Sequence, residues 1–396
     1  MIFPSTQRGG VEEYALTIAT SAVKQGWEVH AAFPKTDGTA FLIQDFQAQG
    51  IHYHCLKIAE GSTNKLKTVV KHFLHLIRTV FLLLKLKPNV VQINLPWADY
   101  CLGSILACGL LRIPTMVVFH LIPSKRTIST IKLKLYTWAR ARNQQWVGVS
   151  KHNRQLVCES FQIPKEQVLC IYNGTKLIPD TMNGDDTDIN TLRTQLRQGL
   201  KIPENSQVAL TIGRLHSQKG HSDLIPAIPH ILKEFPEVRF VWVGDGELRE
   251  YLKNQVREYS VEDKVIFVGY RSDVSRWFKS ADLFVFPTHY EGQPFALLEA
   301  MAHNLPIVTS NASAIPEVIE HQVHGLLFRT GDSCDLLENL RWALKNPQRM
   351  QKLAQNAQRR VQEFSEEKMS QETLIVLKQI CCEWSIKALK SVDAHQ

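Results

Sequence analysis

Short apolar runs alternate with helical patterns along most of this chain. In its first part, residues 27–33 (W-E-V-H-A-A-F), 90–94 (V-V-Q-I-N), 115–120 (T-M-V-V-F-H) and 145–149 (Q-W-V-G-V) read as strands, with helical periodicity between them. A less apolar stretch over 173–207, containing N-G-D-D-T-D, predicts a linker that carries one short helix near 190–199. A second series follows, with strands expected over 208–212, 239–243, 265–268, 283–286, 307–310 and 326–328. This alternation predicts an α/β protein with two doubly wound parallel sheets. Two such domains leave a cleft between their strand ends, a common place for a small-molecule site. The expected domains are 1–180, a linker over 181–205, 206–365, and a final segment over 366–396. One irregularity lies at the start. Residues 1–4 leave two or three positions for the strand before R-G-G at 8–10, where about five or six are usual; the expectation is a natural chain that begins a few residues upstream.

Charge changes the picture by its placement. The net charge of +8 divides into +11 over residues 1–180 and −3 over the rest, and between Gly61 and Cys158 the only acid is Asp99. Such a field favours an anionic surface or substrate. Two segments concentrate it. Residues 65–87 mix cations into an apolar helical pattern, and 125–142 add Tyr136 and Trp138 to basic residues. Both suit anionic lipid; the alternative is a pair of core-facing helices whose long cations reach back to water. Nucleic acid is the weaker partner, because neither segment belongs to a recognised reader module. No apolar run approaches the roughly 18 residues of a membrane span, and no amino-terminal signal pattern is seen. The eight cysteines form no C-x-x-C pair, which predicts reduced thiols and a cytoplasmic protein, with peripheral attachment to the membrane as an extension of that reading.

Candidate chemistry centres on 291–302, E-G-Q-P-F-A-L-L-E-A-M-A. Eight residues apart on one helix, Glu291 and Glu299 would be roughly 80° apart. Pro294 argues against that, since proline favours the first helical position and biases the residue before it away from helix. Glu291 is then expected in a loop at a strand's carboxyl end, and Glu299 on the helix. Carboxylates suit hydroxyl-rich ligands, while the free amides of Phe295 and Ala296 suit an anion. The bland alternative is a capping Glu291 and a solvated Glu299. Arg214 and Lys219 share the loop after strand 208–212, where two cations can clamp a diphosphate. Gly9-Gly10 opens a helix, allowing close approach of a ligand. Asp245, in V-G-D-G, reads as structural. The Asp186-x-Asp188 pair has no anchoring strand and is read as no metal site.

The series G-G-V-E-E (9–13), V-S-K-H-N-R (149–154), Y-N-G (172–174), G-R-L-H-S-Q-K-G (213–220), V-G-D-G-E-L (243–248), E-G-Q-P-F-A-L-L-E-A-M-A (291–302) and I-P-E-V-I (315–319) resembles the family-4 retaining glycosyltransferases over nearly the whole chain. The resemblance implies the GT-B fold, two Rossmann-like doubly wound domains facing across a cleft. It places the nucleotide-sugar mainly on the carboxyl-terminal domain and the acceptor on the amino-terminal one, with a final helix near 366–389 returning to the first domain. It further implies that Arg214 and Lys219 are the diphosphate cations and Glu299 the ribose ligand, with Glu291 contacting donor-sugar hydroxyls. Gly10 is the implied close-approach glycine, Gly292, Phe295 and Ala296 join the donor site, and His120 lies near the transferred sugar. Asn304 stands where the family usually has glycine, and 312–314 (A-S-A) where it often has a glycine pair.

The expected activity is retaining transfer of a hexose or related sugar from a nucleotide-sugar, UDP- or GDP-linked, to a hydroxyl acceptor. No bound metal or cofactor is expected. The basic first domain points to a lipid-linked or cell-envelope glycan as acceptor. A catalytically silent GT-B module binding a nucleotide-sugar or a partner is the rival from another class; a sugar phosphorylase or epimerase would need other site residues.

Overall fold

The computed structural model describes residues 1–58, 65–123, 128–178 and 186–393. The chain divides into two compact units, residues 1–173 with 367–396, and residues 174–366.

The first unit is built on β1 (His30–Phe33), β2 (His52–Cys55), β3 (Val91–Leu95), β4 (Thr115–Phe119), β5 (Gln144–Gly148) and β6 (Val168–Cys170). All pairings are parallel, β1 with β2 and β3-β4-β5-β6 in order. Ile2 joins the two groups by bridging Ala32 on one side and Ile93 on the other. A strand of minimal length thus holds the central position, its amide donating to the Gln92 carbonyl at 2.8 Å. Alternation along β3 sends Val91, Ile93 and Leu95 into a core with Val117, Phe119 and Trp146. There Phe119, Trp146, Tyr136 and Phe161 pack at ring centroid distances of 4.9–6.0 Å, a large apolar area fixed by edge-to-face geometry. The final helix, Glu366–Asp393, belongs to this unit, with Thr373 against Tyr14 and Lys378 donating to Gln25.

The second unit carries β7 (Val208–Ile212), β8 (Arg239–Val243), β9 (Val265–Gly269), β10 (Leu283–Phe286), β11 (Ile307–Ser310) and β12 (Leu326–Phe328), in the parallel order β12-β11-β10-β7-β8-β9. Every residue of β7, β10 and β11 is buried, as expected of strands covered on both faces. The order reverses between β7 and β10, and open α/β sheets bind ligands outside the carboxyl ends of strands at such a switch point. The two loops leaving there are 213–220 and 287–294. Both carry the residues singled out by sequence.

The division between units falls at Asn173/Gly174, earlier than residue 180. Thr175 bridges Ser365, with Thr175 N donating to Phe364 O and Glu366 N to Thr175 O, both at 2.9 Å. The helix expected near 190–199 runs from Asp186 to Gly199 and is fastened to the second unit rather than hanging as a linker. Arg193 and Arg197 both engage Asp282, whose Oδ2 also accepts from Val208 N at 2.7 Å, and Arg197 reaches the Glu204 and Ser206 carbonyls. The side chains of Asp186 and Asp188, like Lys125 and Arg126, lie outside the described residues.

Candidate active site

β7 ends at Ile212, and the chain turns through Gly213 into the loop of Arg214. That loop is shaped by the V-G-D-G turn. Leu215 N donates to Asp245 O at 3.0 Å, and a Cβ on Gly244, whose φ is +141°, would sit 2.0 Å from the Gly213 carbonyl oxygen. Asp245 accepts from Gly246 N and pairs with Arg249, both at 2.8 Å, a turn-forming role. Arg214 is exposed.

Lys219 turns inward, its methylenes over Gly213 and its ammonium 5.3 Å from the Phe286 ring centroid. Its Nζ lies 2.5 Å from Glu291 Oε1, with the two side chains only 16% and 8% exposed. Lys219 and Glu291 are 72 residues apart in sequence and meet because their loops leave adjacent strands. The loops are stitched by residues that sequence reasoning did not single out. His289 N donates to Gln218 O at 2.7 Å, Gln218 Nε2 to Tyr290 O at 2.8 Å, and the Thr288 hydroxyl lies within hydrogen-bonding distance of both Glu291 Oε1 and Gln218 O. His289 Nε2 meets Asp223 Oδ2 at 2.6 Å, and this hydrogen bond raises the imidazole's pKa. The signal available for Thr288 and His289 was their position directly before Glu291.

Burial, the Glu291 charge and, in opposition, Arg214 act on Tyr290, whose hydroxyl pKa is raised. Arg214 and Glu291 are therefore felt at one point. Gly292 and Pro294 are buried, and Pro294 has φ −79° and ψ 124°, so it is the cap and Phe295 begins the helix Phe295–Ala302. No side-chain hydrogen bond caps that helix; the first-turn amides, Phe295 and Ala296 among them, are the groups a helix leaves without internal partners. Glu299 is half-buried on this helix, with its carbonyl held by His303. Two of the departures from the family pattern fall at positive φ. Asn304 has φ +53° and Ser313 φ +49°, the left-handed region in which glycine is at ease and asparagine is tolerated.

Gly10 and His120 belong to the first unit. Gly10 opens the helix Gly10–Lys24 behind Gly9, next to Arg8, which pairs with Glu13 and Asp45. His120 follows β4 directly, and burial lowers its pKa to about 3, so at neutral pH it is an uncharged imidazole. The rings of Tyr14 and His120 form a T-shaped pair, with centroids 4.7 Å apart.

Solved structures share this architecture. HepE of Anabaena, in complex with UDP and glucose, superposes with a TM-score of 0.77 at 21% identity, covering 95% of this chain and 98% of that one. The two parallel α/β units thus have the GT-B fold. Residues 8–177 match the family described as Glycosyltransferase Family 4, and residues 193–360 the one described as Glycosyl transferases group 1. The chain belongs to these family-4, group 1 glycosyltransferases. A glycosyltransferase of Methanocaldococcus jannaschii is 34% identical over 46% of each chain. UDP-Gal:alpha-D-GlcNAc-diphosphoundecaprenol alpha-1,3-galactosyltransferase of Escherichia coli is 27% identical over 52% of this chain and 53% of its own. The matched stretch thus spans about half the length of each of these two relatives.

Proposed function

We propose that the protein is a retaining hexosyltransferase that moves a sugar from a UDP- or GDP-sugar to a hydroxyl of a lipid-linked or cell-envelope glycan, at the cytoplasmic face of an anionic membrane. The observation that carries this reading is the Lys219–Glu291 pair at the switch point, beside the start of the helix that bears Glu299. A departing nucleoside diphosphate develops negative charge, and Lys219, Arg214 and the amides of Phe295 and Ala296 are suited to stabilise it. Glu291 accepts hydrogen bonds from donor-sugar hydroxyls and Glu299 from the ribose, while Gly292 leaves room beside them. In the first unit Gly10 lets the donor approach the backbone, and His120, neutral, offers a hydrogen bond without a competing charge. The acceptor oxygen attacks the anomeric carbon on the face the phosphate leaves, and its proton passes to that phosphate. HepE was solved with UDP and glucose, and the Escherichia coli relative is named for a UDP-sugar donor and a lipid diphosphate acceptor; both support the choice of substrates.

The surface of the first unit supports the membrane part. The helix Lys65–Leu86 buries Leu83 yet exposes Val70, Phe73, Leu74, Phe81 and Leu84 along one stripe, and the helix Thr130–Arg140 exposes Ile131 and Trp138. Lys71, Arg78, Lys85, Lys132 and Arg140 stand on the same two helices. Apolar side chains ringed by cations fit an anionic bilayer interface. No described helix is long and apolar enough to cross a membrane.

Two measurements test the reading. In a thermal-shift screen of UDP-, GDP- and ADP-sugars, one base raises the unfolding temperature, since a ligand at about 100 times its Kd adds about 2.7 kcal/mol. No response to any of them overturns the donor assignment. In flotation with anionic vesicles the protein rises at low salt and is released as salt increases, because screening shortens the reach of Lys and Arg. Failure to float at low salt removes the membrane from the proposal while leaving the donor site standing.

A further inference from the structure

The face of β3 opposite the apolar core carries Gln92 and Asn94, 3% and 0% exposed. On the adjacent β4 the same alternation puts His120 on that face, its amide donating to Leu95 O at 3.0 Å. A polar chain runs across it. Gln92 Nε2 donates to Asn94 Oδ1 at 3.0 Å and lies 3.5 Å from the Tyr14 hydroxyl, which in turn lies 3.3 Å from Thr373 Oγ1 of the final helix. Tyr14 and Thr373 are 1% and 0% exposed. Burial holds the phenol neutral, its pKa pushed up to about 12. Apolar side chains would fill such an interface without desolvating hydroxyls and amides, so a row of buried polar groups ending at one imidazole calls for a reason beyond helix docking. His120 Nε2 finds no partner among the described residues, and its ring lies T-shaped against that of Tyr14. Tyr14 is thus placed to set the tilt of the imidazole, and its hydroxyl contacts to set the tilt of Tyr14.

We propose that Tyr14 is a positioning residue for His120, and that the final helix reaches the active site through it: Thr373 and Gln92 hold the Tyr14 hydroxyl, and the Tyr14 ring holds the imidazole. The inference rests on the reading of His120 as a group beside the transferred sugar. It gives the final helix a catalytic consequence in addition to its packing. A ring displaced by loss of the hydroxyl anchor misaligns His120, and misplacements of about 1 Å near a reacting centre cost rate up to roughly 100-fold.

The test uses the full-length enzyme with Tyr14→Phe, which keeps the ring and removes the hydroxyl, and Thr373→Val, which keeps the shape. Both are expected to lower kcat by roughly 10-fold, with the donor KM and the donor-induced thermal shift unchanged. The two losses do not add in the double variant, and neither variant lowers the rate further in a His120→Ala background. Thr373→Ser, retaining the hydroxyl, restores wild-type kcat. Equal losses with and without His120, or wild-type kcat in Tyr14→Phe, overturn the positioning role. Wild-type turnover of His120→Ala alone overturns the underlying role of His120, an outcome distinct from failure of the relay.

Discussion

Lys219→Ala lowers kcat by about 10²–10³-fold, the loss typical of removing one donor aimed at charge that develops in a transition state. The geometry makes Lys219 the sharpest point of intervention. Its side chain is 16% exposed, its ammonium lies 2.5 Å from the carboxylate of a side chain that is 8% exposed, and its stem is pressed against Gly213. A cation so placed has already lost much of its hydration, so a diphosphate arriving beside it meets a preorganised charge. Glu291 also keeps its cationic partner only while Lys219 is present; deletion leaves a buried carboxylate with the Thr288 hydroxyl as its hydrogen-bond partner among the described residues. Lys219→Arg does not restore turnover, because a planar fork cannot replace a compact ammonium in that space. Glu299→Ala is the contrast, since loss of the proposed ribose contact, made equally in ground and transition states, raises the donor KM about 10-fold and spares kcat. Steady-state kinetics with donor titration separates the two, and wild-type kcat in Lys219→Ala together with a wild-type donor KM in Glu299→Ala removes the site assignment.

What the chain reveals by pattern follows from what it buries. In the second unit the expected strands 208–212, 239–243, 283–286, 307–310 and 326–328 coincide with β7, β8, β10, β11 and β12, because continuous apolar runs have only a doubly covered sheet in which to hide. The first unit is less transparent. β2 is His-Tyr-His-Cys with His52 and Cys55 exposed at a sheet edge, so it offers no hydrophobic run, and β6, Val-Leu-Cys, is too short for a period to be read from it. Residues 27–29 precede the register that begins at His30 and fall outside β1, although the Val29 carbonyl accepts from His52 N. Ile2 completes the sheet as one bridging residue, a role set by its neighbours on both sides. In the site, Glu291, Lys219, Arg214 and Glu299 stand in motifs and can be found one by one. The pairing of Lys219 with Glu291 is a property of sheet order, and so is the meeting of Tyr14 with His120. Neither is written in spacing along the chain. The left-handed positions of Asn304 and Ser313 show the converse, a backbone conformation that favours glycine taken up by residues that do not advertise it.

Gly220→Ala destabilises the second unit by about 3 kcal/mol or more and abolishes donor binding. Gly220 has φ +65°, where an L side chain already costs roughly 1–2 kcal/mol. Its Cβ would also lie 1.9 Å from the Pro287 carbonyl oxygen, a backbone atom that cannot turn aside as a side chain would. Relief requires the loop 287–294 to move away from 213–220. That movement breaks the bonds of His289 N and the Thr288 hydroxyl to Gln218 O, so Glu291 is carried off Lys219. The cost therefore falls on stability and on the site together. Gly199→Ala is the matched control, since a Cβ there meets nothing within 4 Å; fewer accessible unfolded conformations make it neutral or slightly stabilising. Urea unfolding followed by a probe in the second unit, alongside the donor thermal shift, reads both effects, with the midpoint falling and the slope retained. A Gly220→Ala midpoint equal to that of Gly199→Ala would show that the two loops can separate freely, and would remove the stitched-loop account of how Lys219 and Glu291 are held.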